Sequence, residues 1–448
     1  MSSKKSTTNQ RKLFSALGLL AALAAPLPLP AAEHQASTAH DPLSSAVSSV
    51  DAEKSALSLP AVLQLALNHN PRLSSSRSAL RVHQARAEQS GLLPNPTLSM
   101  ELENVGISSP TAADEGLEAT LFIEQLIELG DKRNRRTAFQ NSGVRVAEAD
   151  ITLARLEIVA ETTVAFVQAM SQQLAFGLAE EKTRLAQELL AAVRLLVEKG
   201  AISYAEIPRA EVEVLLQQSA TRNKAHALRK SRARLATMWG AERFEYPGLS
   251  GSLALRSGVP SWLALKSMLE KSPQRKLWDL EIEQSRLAVD VEDAARIPDV
   301  RLGMGPKYFK ENDEWGLQLG FSVALPVFDR NQGARRESRA HLDRTREDRL
   351  SWELKVQRRI SEFHEAMLLA YDEARALQEE ILPRAQEAYE ATRTAHLEGA
   401  SSLTAVLDAQ RSLFVLQSRL LEAKRAYLVA QAHTELLVGR SIMMEVGD

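Results

Sequence analysis

The sequence predicts a mainly helical chain that carries a small membrane β-barrel portion. Three observations predict it. Two long proline-free stretches repeat apolar residues at steps of three and four, four shorter segments alternate apolar with polar, and both patterns recur in the same order. Composition alone points elsewhere. The 448 residues are 44% hydrophobic, 25% charged and 5% aromatic, which is ordinary for a soluble protein. Past the amino terminus, no run of roughly 18 to 20 apolar residues supplies a membrane-spanning helix. The absence of cysteine excludes a disulfide framework, a thiolate metal site and a lipid anchor built on cysteine. With 55 Lys and Arg against 57 Asp and Glu, a net charge of −2 leaves no electrostatic footprint for nucleic acid.

Residues 1–32 have the layout of a signal peptide: Lys4, Lys5, Arg11 and Lys12 precede an apolar run from Leu13 to Ala25, and small residues follow at Ala31 and Ala32. Pro26, Pro28 and Pro30 end the run too early for a membrane anchor. Its removal takes away four positive charges and leaves −6. Residues 33–57, rich in Ala and Ser, read as a disordered lead-in, where His34, His40 and Asp41 are solvated or form a weak metal-capturing tract. A first structural repeat is expected over 58–245, a linker over 246–258, a second repeat over 259–440 and a tail over 441–448.

Each repeat opens with a helical segment, Ser58 to Ser90 and Pro260 to Arg296. Two strands follow. Thr97 to Val105 sets Leu98, Met100 and Leu102 against Ser99, Glu101 and Glu103, and Gly116 to Glu124 sets Leu117, Ala119, Leu121 and Ile123 against Glu118, Thr120, Phe122 and Glu124. In the second repeat Asp299 to Gly305 alternates, and Glu314 to Leu325 does so most strictly, with Trp315, Leu317, Leu319, Phe321 and Val323 on one face. Long helices are expected from Asp131 to Glu198, seamed by Leu156, Val159, Val167, Met170, Leu174, Leu185, Leu189 and Val193, and from Ala334 to Leu397 with a kink at Pro383. Each ends at a glycine, Gly200 or Gly399, followed by a serine and a returning helix, Ser203 to Trp239 or Ser401 to Val438. End to end, Ser58–Ser90 with Ser401–Val438, and Ser203–Trp239 with Pro260–Arg296, are long enough to flank one long helix.

The strands fit two soluble hairpins packed on helices or a membrane barrel. Export, a polar face of Gly and Glu, and Tyr308, Phe309 and Trp315 near strand ends favour the membrane. An open four-stranded sheet in hydrocarbon would lose several kcal/mol per unpaired backbone group, so the barrel must be shared between copies. Two copies give eight strands, filled by side chains; three give twelve, wide enough to conduct.

The residues resemble the TolC-like outer-membrane efflux channels, specifically the CzcC-like branch that serves heavy-metal exporters. The resemblance covers residues 58 to 440. It is carried by Leu93-Pro94-Asn95-Pro96, by Gln125-Leu126-Ile127-Glu128-Leu129-Gly130-Asp131-Lys132-Arg133, by Leu325-Pro326-Val327-Phe328-Asp329-Arg330-Asn331-Gln332-Gly333 and by the two hairpin tips. It implies a homotrimer with a twelve-stranded barrel in outer-membrane lipid and a periplasmic α-helical barrel, whose tips engage a periplasmic adaptor and an inner-membrane RND pump.

On that reading Gly200, Ala201, Ser203, Tyr204, Gly399, Ala400, Ser402 and Leu403 are docking-tip candidates, with Leu403 expected as an exposed apolar anchor; the same residues also serve as ordinary hairpin caps. The resemblance places a gating aspartate at Asp408, but its expected companion three residues earlier is Ala405, so Glu206 and Arg209 are alternative gate residues and a solvated surface Asp408 stays open. Glu101, Glu103, Glu118 and Glu124 are candidates for a cation-friendly lumen or for charges that merely stay wet; Leu317, Leu319, Phe321 and Val323 are the lipid-facing candidates. No enzyme chemistry holds. His364-Glu365 lacks a second histidine at metal spacing, no phosphate loop occurs, the other histidines read as helix-surface residues, and no cofactor or resident metal is expected. The expected function is a passive exit duct for divalent heavy-metal cations, with a duct for drugs or secreted polypeptides and a poreless periplasmic coiled-coil scaffold as alternatives.

Overall fold

The computed structural model describes residues 55–105, 116–255 and 258–442. The signal-peptide reading, most of the lead-in and residues 443–448 of the tail lie outside the described residues. The elements run α1 (Leu59–His69), α2 (Pro71–Ser90), β1 (Thr97–Glu103), β2 (Glu118–Ile127), α3 (Lys132–Glu198), α4 (Glu206–Ala236, closed by a 3₁₀ turn Thr237–Trp239), α5 (Trp262–Glu270), α6 (Pro273–Ala295), β3 (Val300–Phe309), β4 (Glu314–Val323), α7 (Gln332–Ala376), a π-helical turn Leu377–Ile381, α8 (Leu382–Leu397) and α9 (Leu403–Val438).

Two expected helices are broken. Asn70 and Ser272, each before a proline, take extended backbone, because the proline ring disfavours the helical conformation in the residue ahead of it. Their side chains then cap the new helix: Asn70 Oδ1 accepts from Arg72 N–H, and Ser272 Oγ from Arg275 N–H. The kink expected at Pro383 is absorbed one turn earlier by the π-helical turn, whose wider spacing accommodates a residue with no N–H to give.

The end-to-end stacking differs from expectation. The returning helix of each repeat ends beneath the helix that opened the same repeat. Gly240 after α4 lies against His69 and Pro71, and Gly439 after α9 lies so close to Pro273 that a Cβ would stand 2.1 Å from its Cδ. The stacks are therefore α4 with α1–α2 and α9 with α5–α6, within repeats rather than across them. Near the sheet the helices neighbour one another in the order α2, α3, α6, α7; toward the tips the order is α4, α3, α9, then α7 and α8.

Packing of α1, α2, α4, α6 and α9 on α3 explains why it is buried nearly all round from Ile158 to Ser171. Leu174, expected in the seam, is 42% exposed. The main clusters sit where the stacks join: one gathers Val62, Phe166, Met170, Leu235 and Leu249, another Leu265, Met268, Ile360, Met367 and Tyr427. Residues expected outside the packed body join these clusters. Leu57, placed in the lead-in, is 7% exposed and brackets the linker, its N–H donating to Gly248 O at 3.0 Å and its carbonyl accepting from Ser250 N–H at 2.9 Å. Ile442, placed in the tail, is 1% exposed.

Candidate functional site

The four strands form one antiparallel sheet in the order β1-β2-β3-β4. Registers such as Glu101↔Thr120, Thr120↔Lys307 and Lys307↔Gly316 place like faces together across all four strands. One face carries Leu98, Met100, Leu102, Leu121, Ile123, Leu302, Met304, Trp315, Leu317, Leu319, Phe321 and Val323. It is open: Leu317 and Leu319 are each 70% exposed and Phe321 68%, with Val323 half-buried at the helix end. Tyr308 and Trp315, paired in register, contact on this face with ring centroids 5.2 Å apart. Phe309 belongs to the opposite face, against Lys307 and Gly316, because it is one residue out of phase with Tyr308.

The other face is polar and partly neutralised. Lys307 Nζ lies 3.0 Å from Glu103 Oε2 and 2.5 Å from Glu118 Oε2, and Arg301 Nη1 lies 3.0 Å from Glu124 Oε1. Three of the four carboxylates expected to face a lumen are thus held across strands, and Glu101 has no ion pair among the described residues. The charge is uneven. Among the strand residues of this face, Glu101, Glu103, Glu118 and Glu314 share the hairpin end with one cation, Lys307, whereas at the helix end Arg301 balances Glu124. Phe122 is the one large ring on this face between the charged ends. It lies flat on the sheet, since a Cβ at Gly303 would stand 2.3 Å from Phe122 Cε1 and one at Gly320 2.6 Å from its Cζ. Alternation showed glycines here; only the cross-strand register shows that they seat a ring.

At the far end of the helices, the tips share one geometry. Ala201 N–H donates to Leu196 O and Gly200 N–H to Val197 O, as Ala400 N–H does to Ala395 O and Gly399 N–H to His396 O. This paired pattern closes a helix through a left-handed glycine, and φ is 70° at Gly200 and 79° at Gly399. A Cβ at either would meet nothing within 4 Å. Ser402 Oγ caps α9 by accepting from Ala405 N–H at 3.2 Å, and Ser203 Oγ accepts from Ala205 N–H at 3.3 Å. Ala201, Ser203, Ala400 and Ser402 are exposed, and Tyr204 is 72% exposed.

Leu403 is not the exposed anchor expected. At 4% exposure it is buried with Val193 and Ala210, flanked by Ile202 and Ile207, because the first turn of α9 faces the other hairpin. The two tips are therefore joined by an apolar plug, and Tyr204 is the exposed ring. His396, read as a helix-surface residue, is also buried here, its Nδ1–H donating to Ser401 O at 2.8 Å across the turn. No pattern of apolar spacing marks a histidine whose ring replaces a missing backbone donor.

Asp408 is exposed on α9. Glu206 and Arg209 pair with each other along α4, Nη1 to Oε1 at 3.1 Å, and no ion pair joins either to Asp408 among the described residues. Nor, among the described residues, do three or more metal-ligating side chains form a group that could hold an ion. Near the sheet, Arg335 and Arg339 on α7 hold Asp293 on α6, and the hydrogen bond from Arg335 keeps that carboxyl below the usual carboxylate range.

The family model described as outer membrane efflux protein matches residues 62–241 and 264–440, the two segments on either side of the linker. The chain belongs to the outer membrane efflux protein family. It is similar to the cobalt-zinc-cadmium resistance protein CzcC of Cupriavidus metallidurans, 26% identical over 384 residues that span 86% of this chain and 90% of that one. The nickel-cobalt-cadmium resistance protein NccC of Alcaligenes xylosoxydans xylosoxydans is 29% identical over 274 residues, 60% of this chain and 61% of that one. Among solved structures, VceC of Vibrio cholerae covers 86% of this chain and 96% of its own at a TM-score of 0.71, and the channel CusC covers 85% and 92% at 0.70, each at 16% identity and so alike in fold. This efflux-family chain belongs in the outer membrane. Among the described residues no helix is long and apolar enough to cross a membrane.

Proposed function

We propose that the chain is the outer-membrane duct of a tripartite RND-type efflux system that exports divalent heavy-metal cations. Three copies share a twelve-stranded barrel, and their helices continue it as a periplasmic tunnel docked to an adaptor and an inner-membrane pump. The observation that carries this reading is the sheet: one face apolar and open, the other charged, and both edge strands, β1 and β4, without a partner among the described residues. Lipid leaves no water for such edges, so only closure with further copies satisfies them. The names of the relatives support the cargo, and the surplus of carboxylates at the hairpin end of the polar face would draw cations outward. The duct hydrolyses nothing; energy comes from the pump.

A deletion strain challenged in parallel with zinc, cobalt, cadmium, copper and silver salts, and with detergents and dyes, tests the cargo. Sensitivity to one or more divalent metals alone is expected; sensitivity confined to dyes and detergents would replace metal by organic cargo.

The gate follows from the tip. Asp408 is exposed on the returning helix; in a trimer whose three-fold axis runs along the tunnel, three such carboxylates would face one another at its narrow end, and Ala405 would offer no second ring. In planar bilayers an Asp408→Ala channel should conduct more and select cations less than the parent. Unchanged conductance and selectivity would remove Asp408 from the gate.

A further inference from the structure

The connections between strands and helices are packed differently in the middle of the sheet and at its edges. In the middle, the β2–α3 connection lies on the α6–β3 connection. Leu129 N–H donates to Asp299 Oδ1 at 3.0 Å, Lys132 Nζ approaches the same oxygen at 2.7 Å, and a Cβ at Gly130 would stand 2.6 Å from Ile297 Cδ1. At the edges the corresponding connections are open. After β4, Leu325 is 75% and Phe328 93% exposed; before β1, Leu93 is 64% exposed. These segments are held in place. Asp329 Oδ1 accepts from Asn331 N–H at 2.9 Å, Gln332 Oε1 from Arg330 N–H at 2.8 Å, Asn331 Nδ2 donates to Glu292 O at 2.9 Å, and Pro94 O accepts from Gln125 Nε2 at 2.9 Å. Phe328 thus projects an aromatic ring from a held loop, and nothing among the described residues covers it, the form an interface anchor takes.

The sequence relates edge to middle. Leu93-Pro94-Asn95-Pro96-Thr97-Leu98-Ser99-Met100 and Ile297-Pro298-Asp299-Val300-Arg301-Leu302-Gly303-Met304 agree at Pro, Leu and Met at one spacing, so Leu93 holds in the first repeat the place of Ile297 in the second. Asp131 and Asn331, with φ of 62° and 57°, are the left-handed residues that start α3 and α7, so the β4–α7 connection holds the place of the β2–α3 connection. It is also longer. Seven residues separate Val323 from Asn331, against three between Ile127 and Asp131, and the longer loop carries the ring. What the middle of the sheet covers within one chain, the two edges leave open at opposite ends of the strand order.

We propose that a second copy of this chain covers that surface: Phe328 of one copy packs on Leu93 of the next, as Gly130 packs on Ile297 within a copy. The inference rests on the trimeric reading above and names the residues that close the ring beneath the membrane.

The absence of cysteine makes the test direct. β1 and β4 stand three strand spacings apart, roughly 14 Å, beyond the reach of a disulfide, so a bond between these positions joins different copies. Oxidised Leu93→Cys/Phe328→Cys protein should run as covalent dimer and trimer on a denaturing, unreduced gel, while each single variant runs as monomer. Should the double variant assemble poorly, Phe328→Ser alone should lower the temperature at which the trimer dissociates on unheated gels. A wild-type trimer, an uncrosslinked double variant, and a fluorophore at position 328 quenched by spin-labelled lipid would hand Phe328 to the membrane and overturn the inference while leaving the trimer standing. A monomeric wild-type protein would remove the trimeric reading itself, and this inference with it.

Discussion

A Leu319→Arg chain should fail to accumulate as trimers in the outer membrane, whereas Gln318→Arg, one residue away, should accumulate normally. Leu319 lies between Leu317 and Phe321 on the open apolar face, near the middle of β4, and is 70% exposed on a single chain. An arginine at the midplane of a barrel's lipid face costs about 2–4 kcal/mol, and a trimer carries three, roughly 6–12 kcal/mol in all. That is comparable with the whole stability of a typical domain, about 5–15 kcal/mol. Gln318 faces the other way, opposite Gly305, among Glu and Gly residues where an added cation stays wet. The contrast between neighbours is the informative part, because side chains alternate with a period of two and only a sheet with one face in lipid separates them so sharply. Membrane fractionation with gels of unheated samples reads it. Equal trimer levels for both variants would return the sheet to a soluble hairpin packed in water.

The same period explains how much of the fold is legible in the sequence. Leu317, Leu319, Phe321 and Val323 could be placed on one face because alternation needs no partner to be read, and the tip glycines because a left-handed helix end admits few residues. The alternation that marks β3 runs only from Asp299 to Gly305, and the Pro306 that follows is a residue disfavoured in a strand interior. The strand continues to Phe309 because Pro306 stands opposite Leu121, between the paired positions Thr120↔Lys307 and Ile123↔Met304, where the ladder lacks a bridge. The breaks at Asn70-Pro71 and Ser272-Pro273 were signalled by the dipeptides themselves; the apolar spacing running across them masked the signal. Leu403 and the stacking of α4 beneath α1–α2 belong to another class. Each depends on which element lies across a tertiary contact, and a single sequence does not hold that choice in any local pattern. The cross-strand pairing of Lys307 with Glu103 and Glu118 was hidden for the same reason: Lys307 lies 204 positions after Glu103.

Replacing both tip glycines, Gly200→Leu with Gly399→Leu, should abolish efflux while leaving trimers in the membrane at normal levels. A side chain in the left-handed region costs about 1–2 kcal/mol per residue, and at these two positions nothing is added to it, because a Cβ would meet no atom within 4 Å. The apolar plug of Val193, Ala210 and Leu403 lies beneath the turns and is untouched, so the hairpins stay joined. Gly439→Leu is the control. Its φ of 76° carries the same backbone strain, but its Cβ would stand 2.1 Å from Pro273 Cδ, so the helix stack separates and trimer levels should fall. That outcome would divide the functions of one conformation: at Gly439 the glycine would serve the fold, and at Gly200 and Gly399 it would keep a surface clear for a docking partner. Gly200→Asn with Gly399→Asn separates strain from bulk, since asparagine tolerates the left-handed region while still projecting a side chain. If bulk is what blocks docking, the Asn pair should retain part of the efflux that the Leu pair loses. Full metal resistance from the Leu pair would mean that the tips merely turn the chain and that docking lies elsewhere on the helices.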